Sequence, residues 1–329
     1  MMIRLLAILL LFSSSVFAGQ PKYLTLKSQF RSFVEKAKNA DFETQLQLWQ
    51  NEVESVIPKV YSDLLSQRTG VTLEQNRRER ASKWFPFMIA NSDKILAQFE
   101  TFEKSGWPMA QQLAANYPQI DFSNVKVIAM PSLMMFNGQV RLVNGEPVAL
   151  FGMDFLQLVD DNPKLIDGAY LINNMSVMVA HEFTHVLYDK VLEVTHSDLS
   201  EIGLLGPLWN EGLAQMHSQM LVVGTDYSTI LMEHNLAEKC TSDQVSIWAK
   251  IYLQDTLATS DSDLNANYSK WFTMNDWKKL GVARAGYCLG YHAVLFALRE
   301  HSFNELLYMT PNEVSAVTIK ALNSMASSN

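Results

Sequence analysis

The stretch that most constrains this chain is Val177-Met178-Val179-Ala180 followed by His181-Glu182-Phe183-Thr184-His185. Two histidines four residues apart on a helix project from the same face, one turn above the other, so their ring nitrogens can reach a single cation. Glu182 is one residue step round from His181, close enough to the open side of such a metal to take a proton from a water. The apolar run says that the helix is buried. Two imidazoles and a carboxylate in an apolar helix would cost roughly several kcal/mol per unpaired group, and a metal would satisfy them. The alternative is a pair of core histidines with ordinary hydrogen bonds.

A catalytic zinc usually takes three protein ligands and keeps a fourth position open. A third histidine six residues after the second, with a glycine between, would mark the metzincin pattern, but the corresponding positions are Tyr188 and Val191. A carboxylate on a following helix remains, and Trp209-Asn210-Glu211-Gly212-Leu213-Ala214-Gln215, just after Gly206-Pro207, offers Glu211. Ala214 falls on its face one turn on, small enough to let two helices approach. Glu193, His196 and Glu201 are rivals in the polar connection, where a loop would have to hold metal geometry. His217 is off the Glu211 face.

Arg4, the apolar stretch Leu5 to Phe12, and Val16-Phe17-Ala18 have the order of an export signal, with cleavage expected after Ala18. Residues 1–18 are therefore read as a signal peptide and the mature protein as periplasmic or secreted; an uncleaved anchor is the alternative. No later apolar run reaches about 18 residues, so no stable membrane insertion is expected after cleavage. A formal net charge of −8 argues against nucleic acid as a partner. Cys240 and Cys288 are the only cysteines. They form no zinc-ribbon spacing, and an oxidising compartment permits a bridge that spacing alone neither requires nor forbids.

From about Tyr23 to Tyr117 apolar residues recur at three and four, as in Leu46, Trp49, Val53, Val56 and Ile57, so residues 19–120 read as a helical amino-terminal region. Arg77, Arg78 and Arg80 read as a solvated face. The pattern then changes. Val125 to Met130 reads as a strand, and Val140–Val143, Asn144-Gly145, Val148–Phe151 as a hairpin. Asn162-Pro163 marks a turn, and the clamp helix is expected from near Asn173 or Asn174 to about Asp189. Ser260 to Asn267 reads as a surface loop. Asn174-Met175-Ser176 and Asn267-Tyr268-Ser269 match the glycan acceptor pattern too weakly to be read as modified. The fold class that follows is mainly α (α+β), with a small β-sheet ahead of the clamp helix and residues 121–329 as the second, catalytic region.

His-Glu-Phe-Thr-His followed by Asn-Glu-Gly-Leu-Ala resembles the gluzincin metallopeptidases, the group containing thermolysin and the aminopeptidase-N-like enzymes. Ala285-Gly286-Tyr287-Cys288-Leu289-Gly290-Tyr291-His292 is similar to a Gly-Tyr-x-x-Gly-Tyr helix in a family of bacterial predicted zinc-dependent proteases. The resemblance covers about residues 170 to 300. It implies a zincin-like domain, a zinc ion completed by Glu211, and a strand lying along the cleft that pairs with an extended substrate; the sheet could equally serve only to bury a helix face. The thermolysin-type aspartate four residues after the glutamate is replaced by Gln215, which leaves the orientation of one histidine unaccounted for. The aminopeptidase Gly-Ala-Met-Glu-Asn segment is missing, Gly152-Met153-Asp154 being a faint echo, so removal of amino-terminal residues is not inferred.

Arg284, Tyr287 and Tyr291 share one helix face, while Gly286 and Gly290 allow close packing against a neighbour. A phenol or guanidinium there can steady an oxyanion; either tyrosine taken singly reads equally well as a packing residue. The expectation is an exported zinc metallopeptidase acting on a peptide or protein substrate, with metal ligands His181, His185 and Glu211, Glu182 as base, and Tyr287 or Tyr291 at the oxyanion. Its rivals are a non-catalytic, metal-stabilised binding or chaperone-like module, which would show a fourth protein ligand, and a zinc hydrolase of non-peptide amides or esters.

Overall fold

The structure is a computed structural model that describes residues 19–155, 175–258, 260–274 and 277–327. The expected leader, the Asn162-Pro163 turn and the start of the clamp helix lie outside the described residues. Six helices make up most of the amino-terminal third: α1 Lys27–Ala37, α2 Phe42–Glu52, α3 Pro58–Leu65, α4 Leu73–Ala90, α5 Ser92–Thr101 and α6 Trp107–Asn116. Their apolar stripes meet in an aromatic cluster in which the Phe33 ring lies 5.2 Å from Trp49 and 5.1 Å from Phe85. Burial of such rings is the main term holding these helices together.

Tyr23 sits in a strand, β1 Lys22–Thr25, not at the head of a helix. The arginine cluster is a solvated face only at Arg78, which pairs with exposed Glu43. Arg77 pairs with the buried carboxylate of Glu54, which also accepts from Trp49 Nε1, and Arg80 donates to the Leu133 carbonyl. The α4 helix turns that face toward its neighbours, and a buried glutamate needs a cation beside it.

β1 joins β2 Lys126–Met130, β3 Gly138–Val143 and β4 Glu146–Gly152 in one mixed sheet of order β1-β2-β4-β3. β1 and β2 pair in parallel, as do β2 and β4. The continuous burial of both β2 and β4 follows from their central places. β3 and β4 form the hairpin, and Asn144 (φ 55°) and Gly145 (φ 78°) adopt the two positive φ values of a tight two-residue turn. β3 is left at the edge. Asp154 has a structural place: fully buried, it accepts from the backbone N–H groups of Ser132 (2.6 Å) and Met134 (3.0 Å), fixing the loop that leads into β3.

The remaining elements are helical: α7 Met175–Thr195, α8 Leu205–Leu221, α9 Tyr227–Ile230, α10 His234–Lys239, α11 Ser242–Asp255, α12 Asp261–Phe272, α13 Ala285–Ala297, α14 Phe303–Leu307 and α15 Pro311–Ser327. The protein is thus mainly α with a small sheet. α7 runs past Asp189 because nothing there breaks it. It ends where His196 takes a left-handed conformation (φ 52°) and the Ser197 N–H bonds back to the Leu192 carbonyl. The segment read as a loop from Ser260 is instead the start of α12: Ser260 accepts from the Asp263 N–H, and Asp261 and Asp263 lie in the first turn, where the helix dipole favours acids.

Cys240, at the end of α10, is bridged to Cys288 of α13, with Cα atoms 6.0 Å apart. Where α8 meets α13, glycine lies on glycine. A Cβ on Gly290 of α13 would lie 2.4 Å from the Leu208 carbonyl oxygen of α8, and one on Gly212 of α8 would lie 2.2 Å from the Gly290 oxygen. α8 therefore lies between α7 and α13, with backbone almost touching backbone on one side. That arrangement brings the three motif-bearing helices together.

Candidate metal centre and cleft

His181 and His185 project from α7 toward Glu211 of α8. Their Nε2 atoms are 3.2 Å apart, and each faces Glu211 Oε2, at 3.3 Å from His181 and 3.6 Å from His185. Zinc bonds of 2.0–2.2 Å at tetrahedral angles separate neighbouring ligand atoms by about 3.3–3.6 Å, so this triangle has the size of one face of a zinc site. Oε2 is buried without a well-formed hydrogen bond of its own. Among the described residues no fourth histidine, cysteine or acid joins the group. The donor set therefore fits a zinc ion, with one side free of donors among the described residues.

The surroundings prepare those donors. Asn210 Oδ1 lies 3.0 Å from His185 Nδ1 and can accept only if that nitrogen carries the proton, so that in the neutral ring the lone pair is on Nε2, aimed at the triangle. His181 Nδ1 has no hydrogen-bond partner among the described residues, and neither has either amide atom of the fully buried Gln215. Gln215 thus does not perform the orienting task of the aspartate it replaces. Burial lowers the His181 pKa to about 4, against the pull of Glu211. Burial works the same way on His185 and is the largest single influence, but the charge and hydrogen bond of Glu211, with Glu182 and Asn210, together outweigh it and raise the pKa to about 9. The two rings in turn hold the Glu211 carboxyl well below the usual range despite its burial.

Glu182 lies on the cleft side of α7, and burial pushes its carboxyl up to about 7, the range in which a carboxylate can both take and return a proton near neutrality. Gly138 of β3 makes room for it. A Cβ there would stand 2.8 Å from both Glu182 Cγ and Oε1. Tyr287, at the start of α13, stacks its ring parallel to His181 at 6.2 Å, and the Arg284 guanidinium lies 4.0 Å from the Tyr287 ring centroid. Burial raises the Tyr287 pKa, with Arg284 opposing it, so the phenol keeps its proton.

These groups line a cleft of about 380 Å³ whose other wall is β3 from Gly138 to Leu142. Of the residues expected from sequence, the structure brings His181, Glu182, His185, Glu211 and Tyr287 to this cleft. It does not bring Tyr291 there: that hydroxyl donates to Gln219 Oε1 at 2.9 Å and its ring packs on Tyr227. One turn farther along α13, the side chain has left the cleft. His217 is buried in a separate relay, its Nδ1 2.9 Å from Thr184 Oγ1 and its Nε2 3.2 Å from the Tyr117 hydroxyl.

Residues 164–317 match the model of a family described as "Predicted Zn-dependent protease (DUF2268)". The matched part, a little under half of the chain, contains α7, α8 and α13 and so all of the motif residues. No curated protein and no solved structure matches the chain.

Asn210, Gly138, Tyr268 and Asp189 also line the cleft without having been singled out in the sequence. Asn210 stands beside Glu211, and its neighbourhood was the only signal for it. Tyr268 was hidden by reading α12 as a loop. Gly138 and Asp189 carry no local pattern.

Proposed function

We propose that the protein is a zinc-dependent peptidase of the exported class. The observation that carries this reading is the triangle of His181, His185 and Glu211 donor atoms, 3.2–3.6 Å on an edge, at the floor of an open cleft with Glu182 beside it. The family match supports a zinc protease in general terms. When bound there, zinc supplies Lewis acidity that activates water and an amide carbonyl.

The chain's own residues do the rest. Glu182 takes the proton from the attacking water and returns it to the leaving amine. Tyr287, held protonated between His181 and Arg284, donates a hydrogen bond to the developing oxyanion, and Arg284 adds positive charge behind it. β3, an edge strand without a partner on its outer side among the described residues, offers backbone groups to an extended peptide, and Leu142, 69% exposed, offers it an apolar side chain. The open side of the donor triangle favours hydrolysis over a purely structural metal. Export rests on the pattern of residues 1–18 and is supported by the Cys240–Cys288 bridge, which suits an oxidising compartment.

The test is metal analysis and peptide hydrolysis for the protein and for Glu182→Gln. The variant should keep its zinc and lose activity by about a hundredfold or more. Full activity in the variant, or a protein that takes up no zinc, overturns the proposal.

A further inference from the structure

The metal cleft does not end at Glu211. Asp189, Asn210, Glu211 and Tyr268 also line a second cavity, of about 500 Å³, that opens between the end of α7 and α12. Its apolar wall is made of Leu192, Leu199, Leu264 and the Tyr268 ring. Its charged lining is acidic: Asp189, Asp198 and the rim carboxylate Glu211, with no lysine or arginine among the described lining residues.

The acids differ. Glu211 belongs to the metal triangle, and Asp198 is engaged by the Ser200 N–H at 2.8 Å in capping a helical turn. Asp189 is exposed, one turn beyond His185, whose charge acts on it through space, and its carboxylate forms no hydrogen bond or ion pair among the described residues. The positive groups near the site stand elsewhere: Arg141 lines the metal cleft, and Arg284 lies against the Tyr287 ring. β3 runs beside α7 in the same sense: Gly138 packs on Glu182, while Leu142 shares a pocket with Asp189. A peptide laid along β3 therefore passes Glu182 and reaches Asp189.

We propose that the cavity between α7 and α12 is a side-chain subsite selecting a basic residue, with the aliphatic stem of a lysine or arginine packed on the leucines and Tyr268 and its cationic end on Asp189. Long cationic side chains are built for this division between an apolar wall and an acid. The inference rests on the peptidase reading.

The test uses short alanine-rich peptides carrying one lysine, arginine, norleucine or glutamate at each position in turn. Cleavage is measured with the zinc-loaded full chain and with Asp189→Asn, and binding of the same peptides is measured with Glu182→Gln alone and combined with Asp189→Asn. The expected result is cleavage at a fixed distance from lysine or arginine. Asp189→Asn should lower kcat/KM for those peptides by about tenfold or more, the worth of a charge-assisted hydrogen bond, and leave the norleucine peptides within about twofold. Cleavage with no basic preference, or a preference that survives Asp189→Asn, overturns the subsite and leaves the peptidase standing. Preferential binding of basic peptides that depends on Asp189, without any cleavage, supports the subsite and overturns the peptidase. Neither cleavage nor binding overturns both.

Discussion

The contact between Gly212 and Gly290 makes a test of how the cleft is held. A Cβ added at Gly290 lies 2.4 Å from the Leu208 carbonyl oxygen, whereas ordinary contact begins near 3.4 Å, so α8 and α13 must separate by 3.4 − 2.4 = 1.0 Å. The obstructing atom is backbone and cannot rotate away. Overpacking of this kind costs about 3 kcal/mol, and alanine returns about 1 kcal/mol as a better helix former than glycine, leaving Gly290→Ala less stable by about 2 kcal/mol. For a chain of this length that corresponds to a fall in Tm of about 3 °C.

The second consequence is on the site. The donor triangle is built from α7 and α8 alone, so zinc content should stay at the level of the parent protein. Tyr287 rides on α13 and should recede from it, and a displacement of about 1 Å in a catalytic group lowers turnover by about a hundredfold. Thermal unfolding, metal analysis and peptide turnover well below Tm measure the three effects separately. A variant with unchanged Tm and unchanged turnover refutes the argument that this crossing sets the place of Tyr287.

Asn210→Ala removes the acceptor that holds the His185 proton on Nδ1, and zinc affinity measured by competition with a chelator should fall by about 10- to 100-fold, while Asn210→Asp should retain it. Gly138→Ala places a methyl 2.8 Å from Glu182 Oε1, so turnover should fall with zinc content unchanged; unaltered turnover would remove Gly138 from the site. His217 has its pKa lowered by burial to about 4 against 6.5 in the unfolded chain, so its stabilising share is complete above pH 6.5 and is lost as pH falls toward 4, by about 3 kcal/mol in all. Urea midpoints should therefore fall more steeply over that window for the parent than for His217→Gln, and parallel slopes would sink the assignment.

What could be read from sequence divides by the range of the interaction involved. The strand at Val127, the hairpin turn at Asn144-Gly145 and the approach of Glu211 to the clamp helix rest on short periods and on a small set of residue types, and these carry their meaning locally. The turn of α4 toward its neighbours does not: Arg77 answers a buried carboxylate, Glu54, that lies in another element, and a run of arginines gives no sign of such a partner. α12 was missed for a different reason. Ser260-Asp261-Ser262-Asp263 is polar in composition, but its order is that of a capped helix start, and composition alone conceals order.

The two tyrosines of α13 show where periodicity stops being informative. Tyr287 and Tyr291 are four residues apart and occupy one stripe, so any argument from spacing treats them alike. What separates them is the position of the crossing at Gly290, which is a property of two helices at once. Before the crossing, α13 faces α7 and the metal cleft, and Tyr287 meets His181; after it, the same stripe faces α9 and the end of α8, and Tyr291 meets Tyr227 and Gln219. The glycines in the repeated Gly-Tyr pattern could be recognised as packing residues from sequence, but their partner could not, and it is the partner that places one tyrosine at the cleft and the other outside it. Exchanging the roles would require sliding α13 by one turn, about 5.4 Å, which the glycine contact and the Cys240–Cys288 bridge both oppose.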